Sequence, residues 1–85
     1  MSQESGGTEL EALRRMVLGW KDSYRRMAGT TEEAVLFAGE LRAELEEVVY
    51  PYMVRLRECG YIEAAEVTDF IEFCERQAGE LGARV

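Results

Sequence analysis

The spacing of the apolar residues constrains this fold most, because it repeats in steps of three and four along three successive segments. Such steps keep one side of a helix turned toward a neighbouring helix. The segments carry Leu10, Leu13, Val17, Trp20, Tyr24 and Met27; then Ala34, Ala38, Leu41, Leu45, Val48 and Tyr52; then Ala64, Val67, Ile71, Cys74, Ala78 and Leu81. No run has the two-residue period of a strand. The pattern predicts an all-α protein with three helices.

Capping signals and glycines mark the ends of these helices. Thr8 and Thr30 each precede a glutamate by three residues, a pattern in which the hydroxyl and the carboxylate satisfy backbone N–H groups of the first helical turn. Gly29 and Gly60 are natural stops, because glycine adopts the left-handed conformation that commonly ends a helix. We place helix 1 at 9–28. Connections this short force neighbouring helices to run antiparallel, so the fold is predicted to be an up-down-up antiparallel bundle.

The domain limits follow from the same signals. We expect residues 1–8 to form a disordered tail, and not a signal peptide. Residues 9–82 form a single helical domain, and residues 83–85 a frayed C-terminus. Helix 3 is predicted to start near Tyr61 or Ile62.

Pro51 interrupts the second helical segment. It has no N–H to donate to the carbonyl of Glu47, and its ring clashes there. The apolar pattern nonetheless resumes with Met53, Leu56 and Cys59. We therefore predict a kink at Pro51, with helix 2 continuing as far as Gly60.

The charge balance excludes several classes of partner. The chain has 10 basic and 17 acidic residues, a net charge of −7, and no histidine. This charge argues against nucleic acids and against anionic membranes. The basic residues are concentrated in helix 1, where Arg14 and Lys21 lie one heptad apart beside the apolar positions. We expect them to meet acidic residues of a neighbouring helix.

The lengths of the helices predict a homodimer. Helix 2 with its extension runs about 29 residues, roughly 43 Å, whereas its neighbours are each near 30 Å. Each end of helix 2 is then covered by one neighbour only, and helix 3 carries apolar residues on a second face. The expected interface residues are Val49, Tyr50, Tyr52, Met53, Val54, Leu56, Phe70 and Phe73. The predicted function is a non-catalytic interaction or regulatory module that binds itself, or another protein helix, through these residues. The alternative is that Pro51 folds the extension back and closes a monomeric core.

Two pairs of carboxylates allow an enzymatic alternative. Glu44 with Glu47, and Glu66 with Asp69, are i, i+3 pairs on two helices, and carboxylate oxygens are the ligands that Mg²⁺ prefers. This arrangement resembles the all-α nucleoside-triphosphate pyrophosphatases, which carry an ExxE on one helix and an ExxD on a following helix. The resemblance implies magnesium-dependent hydrolysis of a nucleotide at these four residues. The helical phase turns Glu47 and Asp69 outward, however, which favours a solvated acidic face without a cofactor.

The two cysteines are expected to be unpaired. Cys74 lies about 14 residues up helix 3 from the turn that holds Cys59, a separation of roughly 21 Å. A disulfide tolerates only about 7 Å between Cα atoms. Two free thiols predict a cytoplasmic protein.

Overall fold

Every regular element of this computed structural model is a helix; the model describes the backbone of residues 3–83 and the side chains of residues 8–83. Helix α1 spans Gln3–Met27 and α2 spans Thr31–Glu44. A π-helical turn, Leu45–Val49, joins α2 without a break to α3, Tyr50–Glu58, and α4 spans Ala64–Gly82. We call α2, the π-helical turn and α3 together the middle helix. The prediction of an all-α protein with three helices is confirmed.

The start of the middle helix follows the predicted cap. The Thr30 hydroxyl accepts the backbone N–H of Glu33 at 3.1 Å, and the Glu33 carboxylate accepts the backbone N–H of Gly29 at 2.6 Å. These two bonds satisfy N–H groups that have no partner inside a helix. The predicted cap at Thr30 is therefore where the second helix begins.

The end of the middle helix is the predicted glycine stop. Gly60 has a φ of +83°. Its N–H donates to the carbonyl of Arg57, and the N–H of Tyr61 donates to the carbonyl of Leu56. This pair of bonds is the Schellman motif, in which the residue after the glycine folds back against the last turn of the helix. The motif brings Tyr61 next to Leu56.

Two helix starts differ from the predictions. Helix α1 begins at Gln3, so Thr8 lies inside the helix and is not its cap. A Thr-x-x-Glu pattern is compatible with a helix interior, and no proline precedes it to prevent the helix from extending. Helix α4 begins at Ala64, later than expected, because Glu63 is its N-cap and forms a capping box with Glu66. Residues 1–2 of the predicted tail and 84–85 of the predicted frayed end lie outside the described residues.

The π-helical turn shifts the core positions of the middle helix by one residue. The backbone N–H of Tyr50 donates to the carbonyl of Leu45, five residues earlier. Beyond this turn the fully buried residues are Val49 and Met53, whereas Val48 is 52% exposed. The predicted positions, Val48 and Tyr52, therefore face outward. A kink of the helix axis at this place stays a prediction.

The core is formed by one row of side chains from each helix. Its buried members are Leu10, Leu13, Val17, Ala38, Leu41, Leu45, Val49, Met53, Leu56, Ile62, Phe70, Cys74, Ala78 and Leu81. The molecule measures 45 Å by 18 Å by 17 Å, which means that the helices lie side by side along their lengths. All three helices thus share a single core.

Contacts between side chains fix the direction of each helix relative to the middle helix. The ring of Tyr24 stacks on Phe37 at 5.4 Å between centroids, and farther back along α1 Glu9 contacts Tyr52. These two contacts require α1 and the middle helix to be antiparallel. The middle helix also meets α4 in the reverse direction, with Arg42 paired to Glu75 at 3.7 Å.

Lys21 connects α1 to α4 and is nearly buried, with 8% of its surface exposed. Its Nζ donates to Gln77 Oε1 at 2.8 Å and to Glu80 Oε1 at 2.5 Å. One heptad earlier, Arg14 lies over the rings of Phe70 and Phe73, 5.7 and 5.9 Å from their centroids. The expectation that Lys21 meets an acid is confirmed, whereas Arg14 contacts aromatic rings instead.

Two adjacent valines test the phase of the middle helix. Val49→Ala should lower the free energy of unfolding by about 2 kcal/mol, because it removes fully buried methyl groups and leaves a cavity. Val48→Ala, the same change on an exposed side chain, should change it by less than about 0.5 kcal/mol. Denaturant unfolding of both variants measures this difference. Equal losses, or a larger loss at Val48, would contradict the π-helical phase.

The ion pair between Lys21 of α1 and Glu80 of α4 predicts that the stability of the fold depends on pH. The hydrogen bond and positive charge of Lys21 lower the pKa of Glu80 below its ordinary value of 4.5. The stability contributed by the ionised carboxylate is therefore complete above pH 4.5 and is lost as the pH falls through the lower folded-state pKa. Thermal unfolding of the wild type and of Glu80→Gln should differ at neutral pH and converge in acid. A difference that does not change with pH would show that the charge of Glu80 contributes nothing.

Candidate interaction surface

The eight residues predicted for the interface divide into three groups. Val49, Met53 and Phe70 are 0% exposed and Leu56 is 6% exposed. These four belong to the core of the single chain, so their assignment to a surface was wrong. The physical reason is that the π-helical turn directs the first two inward, and that α4 directs Phe70 toward α1.

The other four predicted residues remain accessible to different extents. Tyr50 and Phe73 are half-buried against the core. Tyr52 and Val54 are exposed, at 39% and 50%. At Met53 and Leu56 the structure thus agrees better with the alternative, a core closed within one chain. At Tyr52 and Val54 the side chains are exposed, so the predicted surface is reduced to these two residues.

Exposed apolar side chains are concentrated at the α3 end of the bundle. Of the eight large apolar residues that are exposed in the described chain, four lie between residues 48 and 61: Val48, Tyr52, Val54 and Tyr61. Tyr52 and Val54 each adjoin the buried Met53 in sequence, on opposite sides, so they flank the outward face of α3. Arg55 is exposed and lies on that face between them, two residues beyond Met53. We call Val48, Tyr52, Val54, Arg55 and Tyr61 the α3 surface.

A shallow depression of about 200 Å³ opens at the edge of the α3 surface. Its lining residues are Glu9, Tyr52, Leu56 and Tyr61. The Schellman motif places Tyr61 there, and the antiparallel packing of α1 brings in Glu9. The depression is smaller than the roughly 300 Å³ at which small-molecule pockets begin, so it suits one side chain of a partner better than a whole ligand.

Tyr52 and Glu9 hold each other in place at this depression. The Tyr52 hydroxyl donates to Glu9 Oε1 at 2.8 Å. This hydrogen bond raises the pKa of Tyr52 above its ordinary value, because ionising the phenol would remove the donor and place a negative charge beside the carboxylate. The Tyr52 hydroxyl therefore stays protonated, and remains a donor, at physiological pH.

The charge of the α3 end differs from that of the rest of the chain. Residues 48–61 contain Arg55, Arg57 and Glu58 as their charged residues, a net charge of +1. Subtracting this +1 from the total of −7 leaves −8 for the remaining residues. The described carboxylates leave both arginines without an ion pair within 4.0 Å. The Glu9 carboxylate of α1 also lies at this end, in contact with Tyr52, so the α3 end is a nearly neutral and apolar region of an acidic protein.

The four carboxylates of the magnesium alternative lie apart. Glu44 accepts the hydroxyl of Tyr24 at 3.1 Å, and Glu66 accepts the backbone N–H of the α4 N-cap at 2.8 Å. Glu47 and Asp69 are exposed. Among the described residues, no three carboxylate, histidine or thiol side chains come together as a metal site. In the described part of the chain, no assembled metal centre therefore supports the resemblance to the pyrophosphatases.

Sequence reasoning missed Tyr61 as a member of the α3 surface and Glu9 as a residue that lines the depression. Tyr61 was assigned to the start of a helix, although an aromatic residue directly after a helix-ending glycine is typical of the hydrophobic contact in a Schellman motif. No pattern within α1 marks Glu9, because its role depends on which residue of the middle helix lies opposite. Val48 was missed because the apolar spacing placed it in the core.

Comparison of the chain with protein-family models, curated proteins and solved structures finds no match. In the described part of the chain, no helix combines the length and the apolarity that crossing a bilayer requires.

The two cysteines differ in a way that labelling can measure. Cys59 is exposed at the end of α3, and Cys74 is buried and also unpaired. Burial, with a smaller effect of Glu75, raises the pKa of the Cys74 thiol to about 12, so it forms little of the reactive thiolate near neutral pH. A thiol reagent at pH 8 should label one cysteine per folded chain and two after denaturation, as read by mass spectrometry. Cys59→Ser is the control, and fast labelling of that folded variant would contradict the buried position of Cys74.

Proposed function

We propose that this protein is a small interaction module without catalysis of its own, and that it works as a homodimer paired through the α3 surface. The observation that carries the proposal is the coincidence, at one end of the bundle, of exposed apolar side chains with much less negative charge than the rest of the chain carries. The enzymatic alternative has no comparable support.

Burial of the apolar residues provides the attraction. Tyr52, Val54 and Tyr61 are 39%, 50% and 53% exposed, and apolar area removed from water stabilises a complex by about 25 cal/mol per Å². Tyrosine is also enriched at interfaces, because it combines an apolar ring with a hydroxyl that tolerates water. These residues give a partner apolar anchors within a polar rim.

Charge favours this end over the others for contact between two copies. Each chain carries −7, so two copies repel one another wherever their acidic faces meet. Residues 48–61 carry +1 and the adjoining Glu9 carries −1, so two such nearly neutral ends repel one another less than two acidic faces do. A two-fold arrangement, the commonest for homo-oligomers, brings the same patch of both copies together.

The reason for dimerisation differs from the one that helix lengths suggested. The buried residues Met53, Leu56 and Phe70 need no second copy, since one chain covers them. Dimerisation is therefore proposed as recognition between folded surfaces. A kink at Pro51 belongs to this proposal, because a bend there sets the direction in which α3 presents its outward face.

The proposed cellular location of the protein is the cytoplasm. Cys59 and Cys74 are both unpaired, and an exposed free thiol such as Cys59 persists in a reducing compartment. A helix of another protein remains the second proposed partner, and it would use the same apolar anchors.

Measurement of mass in solution tests the dimer. Sedimentation equilibrium should give twice the 9.7 kDa of one chain. Val54→Glu should weaken the dimer about tenfold or more, because it buries a carboxylate at the contact.

Val35→Glu is the matched control. Val35 is 56% exposed, close to the 50% of Val54, but lies on α2 outside the α3 surface, so its variant should dimerise like the wild type. Circular dichroism checks that both variants fold. A wild type that stays monomeric at high micromolar concentration, or equal weakening by both substitutions, would overturn the proposal.

A further inference from the structure

The depression at Glu9, Tyr52, Leu56 and Tyr61 has the chemistry to hold one cationic side chain. Its lining consists of two tyrosines, one leucine and one glutamate. A guanidinium group binds such a place through charge-assisted hydrogen bonds to the carboxylate and through attraction to aromatic faces. The chain already uses this chemistry internally, where Arg14 lies 5.7 Å from the centroid of Phe70.

Glu9 retains the capacity to bind such a group. Its Oε1 accepts one hydrogen bond, from Tyr52, whereas an ionised carboxylate offers about four acceptor positions. No lysine or arginine among the described residues lies within 4.0 Å of this carboxylate. The Tyr52 hydroxyl therefore orients the carboxylate without neutralising it.

Arg55 is the side chain best placed to enter a depression on another copy. It is exposed, lies on the outward face of α3, and has no carboxylate partner among the described residues. It belongs to the same end of the bundle as the depression. In a two-fold contact centred on the α3 surface, each copy therefore offers one arginine and one acidic depression, which is the self-complementarity that a two-fold contact requires.

We infer that the depression of each copy binds the Arg55 guanidinium of the other copy, so that the dimer contains two equivalent arginine–glutamate contacts. The inference rests on the proposed homodimer and names the contact that determines which surfaces pair. Arg57 is the neighbouring alternative on α3, and it serves as the matched control because it has the same charge two residues away.

Charge reversal in separate chains tests the contact. Glu9→Arg and Arg55→Glu should each weaken self-association about tenfold or more, because each homodimer then places two like charges together twice. An equimolar mixture of the two variants should form a heterodimer with an affinity within about threefold of the wild type, since each contact regains one positive and one negative group. Arg57→Glu changes the charge of each end by the same two units, so it should weaken self-association, but less than Arg55→Glu does. Sedimentation of fluorescently labelled chains measures all four.

The outcomes separate this inference from the homodimer itself. If Val54→Glu dissociates the dimer while neither charge reversal does, the arginine contact is wrong and the homodimer stands. If both reversals weaken the dimer but the mixture does not recover, the two residues do not face each other, and the inference is overturned. If Arg57→Glu weakens the dimer as much as Arg55→Glu, a general loss of positive charge explains the effect. A monomeric wild type overturns the homodimer and this inference together.

Discussion

The phase of the middle helix determines both the core and the exposed surface. In a regular α-helix each residue turns by about 100°, so a step of four residues drifts by about 40°. In a regular α-helix, Leu45, Val49 and Met53 would move around the helix axis by twice that angle and would not all face the core. The π-helical turn accommodates one extra residue, so that all three face the core. Pro51 is the second residue after this turn, and its nitrogen cannot donate an α-helical hydrogen bond in any case. The turn that closes the core is therefore also the one that leaves Val48 and Tyr52 at the surface.

A second constraint sets the register of α1 against α4. Arg14 and Lys21 are one heptad apart, and each meets a pair of α4 residues separated by three positions, first two phenylalanines and then Gln77 and Glu80. A nearly buried ammonium group without partners is costly. Sliding α4 by one turn would leave Lys21 without its two acceptors. The polar contact therefore selects one register of α4 more strictly than the surrounding apolar contacts would.

The sequence predicts where the helices of this fold lie better than it predicts which residues of each helix face the core. The cap at Thr30 and the stop at Gly60 involve neighbours along the chain, which the sequence shows directly. The π-helical turn does not, since three- and four-residue steps suit Val48 and Val49 almost equally well. The choice between them depends on which one completes the packing against α1 and α4. That shift explains why Val48 was assigned to the core and is exposed. Met53 was assigned to an interface for another reason, because helix lengths alone left α3 uncovered, and it is buried.

The distribution of ion pairs explains why net charge alone does not locate a contact surface. Within the described chain Lys21 pairs with Glu80, and Arg42 with Glu75, so these cations hold the acidic helices to the bundle and are not available to a partner. Arg55 has no such contact among the described residues. Composition counts all of these cations alike, and only the packing shows which are engaged. The proposed contact surface at α3 therefore lies where apolar side chains are exposed and where, among the described residues, Arg55 has no ion pair.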